Sequence, residues 1–179
     1  MCSGDIMKIT KVENDLVTYI ELKEDLNKLT IYPSNNDLYM SITDGRRLEK
    51  YSDDFRFMDI CKRDDDIYNA FNNLYNGIML KSKGTNTNLI GEDNSIVWIS
   101  DGEKEESEDI LMIFKQEDFY RLLFVRNNNH KERLKKRKSS QSIDIKFSTT
   151  DSRYKDFVGY FINVYNELQN IEKSKIYKK

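Results

Sequence analysis

The sequence predicts an α+β protein made by tandem duplication: a strand-rich unit of about four antiparallel strands, closed by one helix, occurs twice. Three observations carry this. First, IYNAFNNLYNGI (67–78) returns ninety positions on as FVGYFINVYNEL (157–168), with Tyr75-Asn76 matched by Tyr165-Asn166. Second, other segments match in the same order: KEDLNKLTIY (23–32) with QEDFYRLLFV (116–125), NDLVTYI (14–20) with EDILMIF (108–114), and Met58-Asp59-Ile60 with Ile143-Asp144-Ile145. Third, short runs of Ile, Val, Tyr and Phe, the residues that favour strands, are followed in each half by one segment of helical period. The halves are residues 1–90 and 91–179, expected to form one compact unit about a pseudo-twofold axis.

The elements follow in order. Residues 6–12 and 96–100 open the halves as short strands. Residues 16–22 with 29–32, and 110–115 with 120–126, form hairpins. The first half adds 38–43 after a turn at Pro33, Ser34, Asn35 and Asn36, all turn formers. A further strand follows in each half, 55–61 and 143–147. In the second of these, Ile143, Ile145 and Phe147 alternate with Asp144 and Lys146, the pattern of a half-buried strand. Ile67, Ala70, Phe71, Leu74 and Ile78 recur at spacings of three and four and mark a helix; so do Phe157, Tyr160, Phe161, Val164, Leu168 and Ile171. Asp64, Asp65 or Asp66 is expected to cap the first helix, and Thr150, Asp151 or Ser152 the second, by accepting from free backbone N–H groups. Gly77 and then Gly84 are expected to stop the first helix. Each helix should cover one face of a sheet.

Composition excludes several function classes. The 179 residues carry 29 Lys and Arg against 31 Asp and Glu, a net charge of −2, and a sequence pI near 5.6 argues against a large nucleic-acid surface. No apolar run reaches the ~20 residues of a membrane span. No apolar h-region follows Met1, so a cytoplasmic protein is expected. Two cysteines, Cys2 and Cys61, cannot build a disulfide framework or a four-cysteine zinc site. Seven scattered glycines form no phosphate-binding loop. No cofactor is expected.

Few residues could carry chemistry. His130 is the chain's one imidazole and lies in the polar run NNNHKERLKKRK, a poor place for rigid catalytic positioning. Cys61 reads as a small core residue. Asp64-Asp65-Asp66 is the densest acidic run on a structured element, but consecutive side chains diverge, so capping explains it better than a metal site. Charge patterning says more. Residues 101–109 hold Asp101, Glu103, Glu105, Glu106, Glu108 and Asp109, and residues 131–138 hold Lys131, Arg133, Lys135, Lys136, Arg137 and Lys138. Both read as solvated loops of opposite sign. The basic run is also a candidate contact for a phosphate backbone. Of the eleven tyrosines most suit the core margin, and an exposed patch around Tyr39, Tyr51 or Trp98 would mark a partner surface.

The helix segments DSRYKDFVGYFINVYNEL and IYNAFNNLYNGI resemble those of small uncharacterised proteins of low-GC Gram-positive bacteria and their mobile elements. In those proteins a Ser-Arg-Tyr turn precedes a helix ending in Tyr-Asn. The resemblance covers the last thirty residues and one earlier helix, and implies no activity. The expected function is non-catalytic protein binding, as an accessory or inhibitor-type factor with an unknown protein partner. Nucleic-acid binding through residues 131–138 is the alternative. No membrane partner is expected, and the oligomeric state is not legible.

Overall fold

The computed structural model describes residues 8–13, 15–20, 28–43, 55–62, 65–83, 89–91, 93–99, 109–126 and 142–177. In chain order these form β1 (Lys8–Glu13), β2 (Leu16–Ile20), β3 (Lys28–Ser34), β4 (Asp37–Thr43), β5 (Phe55–Cys61), α1 (Asp65–Ser82), β6 (Ile96–Ile99), β7 (Asp109–Lys115), β8 (Phe119–Arg126), β9 (Ser142–Phe147) and α2 (Val158–Tyr177). The protein is α+β. Each predicted strand and both predicted helices are present. Among the described residues no helix is long and apolar enough to cross a membrane.

Two antiparallel sheets hold the strands. One is five-stranded in the order β1-β2-β3-β4-β9, the other four-stranded in the order β5-β8-β7-β6. The two sequence halves exchange strands between these sheets. β5 joins the sheet of the second-half strands by pairing with β8, and β9 joins that of the first-half strands by pairing with β4. The connections explain what is free to exchange. The β3–β4 hairpin turns through Asn35 (φ 50) and Asn36 (φ 70) and forces its strands side by side. The longer stretches 44–54 and 127–141 impose no such neighbour.

The helices lie on the inner sides of the sheets and pack on each other. α1 touches β5 and β8, α2 touches β1 and β2, and the sheets meet where β4 touches β5 and β9 touches β7 and β8. One core results, in which Val17, Ile31, Met40 and Ile145 from one sheet, Ile60, Leu122 and Phe124 from the other, and Phe71, Leu74, Phe161 and Leu168 from the helices are all buried. Gly77 does not stop α1. It sits inside the helix, where a Cβ would collide with the Tyr160 ring, so glycine is what lets α2 come this close. Asp151 does not cap α2 directly. Its carboxylate accepts from the Arg153 backbone N–H at 2.9 Å and pairs with the Arg153 guanidinium, closing a turn ahead of the helix start at Val158. Asp64 and Gly84 lie outside the described residues. Cys61 is buried at the end of β5, as expected, but it is disulfide-bonded.

Candidate functional site

Both sheets bury one face against the helices and turn the other outward. An outward face in water should be polar. The five-stranded sheet obeys. Across it run Thr18, Thr30, Ser41 and Asp144 in one register row, of which Thr18 and Ser41 are buried, and Tyr32, Tyr39 and Lys146, all half-buried, in the next. Tyr32 stacks on Tyr39 with ring centroids 5.3 Å apart, and Lys146 Nζ reaches Asp37 at 3.4 Å.

The four-stranded sheet does not obey. Its outward face is built in rows by the pairing of β6, β7, β8 and β5. One row is Ile99, Ile110, Val125 and Phe55; the next is Val97, Met112, Leu123 and Phe57. Phe114, Arg121 and Asp59 form a third row at the far end. Phe55 and Phe57 are 47% and 41% exposed, and the other apolar members are half-buried. The charge on this face is self-contained. Arg121 Nε donates to Asp59 Oδ1 at 2.7 Å and its terminal nitrogen donates to Oδ2 at 2.9 Å. Its guanidinium also lies 4.6 Å from the Phe57 ring centroid. The hydrogen bond to Asp59 holds the Arg121 pKa above its ordinary value. A contiguous apolar face of this kind marks an interaction site more often than plain surface.

A second unusual cluster faces inward at the end of the same sheet. Asp109 is fully buried and stands directly opposite Arg126 in register, while Arg56 lies on the same inner side of β5; both arginines are 7% exposed. Asp109 is thus no part of a solvated acidic loop: it is the first residue of β7.

Of the predicted site residues, Tyr39 and Trp98 are described, and they belong to different sheets. Tyr39 lies on the polar outward face of the five-stranded sheet, half-buried against Tyr32. Trp98 is no partner surface. It is fully buried, with its ring centroid 4.1 Å from that of Tyr154, 4.7 Å from Phe161 and 4.9 Å from Phe147, and its Nε1 donates to the Lys146 carbonyl at 3.4 Å. The reason is the alternation of β6, which turns Trp98 inward and Val97 and Ile99 outward. Tyr51, His130, Lys131, Arg133, Lys135, Lys136, Arg137 and Lys138 lie outside the described residues, as do residues 101–108. No group of three or more His, Cys, Asp or Glu that could hold a metal occurs among the described residues. The outward apolar face escaped the sequence reading, yet a signal exists. β7 (DILMIFK) and β8 (FYRLLFVR) are near-continuous apolar runs, the pattern of strands covered on both faces.

No family model, curated protein or solved structure matches this chain.

Proposed function

We propose that the chain is a non-catalytic protein-binding factor, of the accessory or inhibitor type, of a bacterium or mobile element. The single observation that supports it is the outward face of the four-stranded sheet, apolar over two full register rows where the other sheet is polar. Such a face is covered in use, and its neutral charge suits a protein surface better than a phosphate backbone. The test is affinity capture from host extract, with and without nuclease, at two salt concentrations, using the native chain and Leu123→Glu. A protein retained in high salt and lost with Leu123→Glu is the expected result. Capture that disappears with nuclease and survives Leu123→Glu moves the function to nucleic acid and residues 131–138.

The reading includes a duplicated origin with pseudo-twofold symmetry. Strand order supports matching β2, β3, β4, β5 and α1 with β6, β7, β8, β9 and α2, since β5 lies beside β8 as β9 lies beside β4. On this matching the hairpins pair one strand further along than the Glu-Asp identity suggests, while the helix and Met-Asp-Ile matches keep their partners. The Tyr-Asn identity has a shared role. Tyr75 Oη donates to the Asn94 carbonyl at 2.8 Å and Tyr165 Oη to the Asp15 carbonyl at 2.6 Å. Both acceptors have positive φ, 62° and 68°, one to two residues before β6 and β2.

A cytoplasmic setting also belongs to the proposal, and the Cys61 disulfide stands against it, because such bonds persist in oxidising compartments. Alkylation of unreduced but denatured protein taken from host cells, so that burial of Cys61 does not shield it, decides: a modified Cys61 fits the cytoplasm, a protected one counts against it.

A further inference from the structure

Resting on the reading of this face as a protein-binding surface, we propose that its occupant is a second copy of the same chain, packed sheet against sheet about a twofold axis. Three features of the face favour this partner. The first is charge. The two central rows carry none, and the Arg121–Asp59 pair at the end is neutralised within the molecule. A charged partner would gain nothing there, while an apolar sheet of the same size is complementary, and the chain itself supplies one.

The second is relief. Large side chains, Phe55 and Phe57, stand on edge strand β5; smaller ones, Val97 and Ile99, stand on the opposite edge strand β6. A twofold axis lying in the interface parallel to the strands, between β7 and β8, sets each copy's high edge on the other's low edge. The end row with Arg121 and Asp59 then falls at the rim. The result is an apolar centre with a polar margin, the ordinary anatomy of a dimer interface. Twofold pairing through one self-complementary patch is also the commonest closed assembly.

The third is area. Four strands about 4.8 Å apart and about six residues long give a footprint of roughly 380 Å². Apposition covers it on both copies, and the protruding phenylalanines raise the buried area further. The sum approaches the roughly 1,000 Å² at which specific association begins, so a modest dimer follows.

Sedimentation velocity on the full chain between about 5 and 200 µM tests the proposal, beside Leu123→Glu and the double variant Phe55→Ser, Phe57→Ser. The expected result is native protein at twice the 21.3 kDa chain mass at the upper concentrations. Both variants should dimerise at least tenfold more weakly. Because Phe55 and Phe57 are exposed, the double variant keeps its fold even where Leu123→Glu does not. Far-ultraviolet circular dichroism and the emission of Trp98 report that fold. Burial of apolar surface predicts a dimer that persists in high salt. A native chain that stays monomeric throughout overturns the proposal, as does a dimer unchanged by the double variant. In either case capture of another protein that needs Leu123 preserves the protein-binding reading, and capture indifferent to it removes both.

Discussion

Tyr75 and Tyr165 do the same work in two places: each phenol ties a helix to the turn ahead of a strand in the sheet that helix packs on. Replacing either by Phe leaves a carbonyl to water in an exposed turn, so each change should cost about 0.5–1 kcal/mol by urea unfolding. The pH dependence follows from the same side chains. Burial, and then the nearby Asp93, raises the Tyr75 pKa above 10.0; burial and Asp15 do so for Tyr165. Burial likewise raises Tyr120 and Tyr32. A raised native pKa means that above pH 10 the unfolded chain sheds protons the native chain keeps. Stability is therefore full below pH 10 and falls as pH rises through the native values. Absorbance at 295 nm should show a late-titrating group of tyrosines that titrates early only in denaturant. Gly77 gives the sharpest steric test. Alanine adds helix propensity of about 1 kcal/mol, but its Cβ meets the Tyr160 ring. Overpacking of that kind costs about 1–3 kcal/mol, so Gly77→Ala should be neutral to about 2 kcal/mol destabilising, whereas in a Tyr160→Ala background the same change should stabilise by about 1 kcal/mol. Sequence spacing alone reads Gly77 as a stop signal because the approach of α2 is a tertiary event.

At the scale of strands and helices, boundaries were legible wherever one face is buried and the pattern is local. β9 shows why: Ile143, Ile145 and Phe147 point inward, and Asp144 and Lys146 outward, as their alternation demands. The apolar face was not legible by the same rule, since β7 and β8 are apolar on both sides and alternation carries no message there. Which sheet a strand joins was not legible either. Alternation states which face is buried, while strand partners depend on where the connections 44–54 and 127–141 deliver β5 and β9. The two sides of these elements should differ in energy. Phe147 is fully buried and its ring centroid lies 4.0 Å from that of Phe161. Phe147→Ala should cost about 3–5 kcal/mol in urea unfolding. Phe57→Ala, on the outward side, loses mainly the stacking with Arg121 and should cost only about 0.5–1 kcal/mol at concentrations where the chain is monomeric. Equal costs would mean that the outward face is already covered within one molecule. Asp109 belongs to the expensive class. Changing it to Ala strips a carboxylate from beside buried Arg126, and breaking a buried charge cluster costs about 3–5 kcal/mol.

For the whole molecule, the exchange of β5 and β9 decides whether the two sequence halves are domains. A domain must bury its own core and pair its own strands. Neither half does. Residues 1–90 contain β5 and α1, but β5 pairs with β8 and α1 packs on β5 and β8. Residues 91–179 contain β9 and α2, but β9 pairs with β4 and α2 packs on β1 and β2. Each half alone would expose an unpaired strand of its own and the abandoned edge of a sheet, both templates for association. Expressed separately, residues 1–90 and 91–179 should therefore be unfolded or aggregated, without the dispersed amide spectrum of a packed core. Mixed and refolded together in equal amounts, they should recover the circular dichroism of the full chain and bury Trp98, whose contacts with Phe147, Tyr154 and Phe161 lie wholly in the second half. Blue-shifted, quencher-protected Trp98 emission from residues 91–179 alone would show that half to be self-sufficient. Unfolding should accordingly be a single transition, because the sheets share their final strands and no interface between halves can open while both stay folded. Two transitions in urea, with Trp98 emission reporting one and far-ultraviolet circular dichroism reporting both, would require each sheet to survive the loss of the strand lent by the other half.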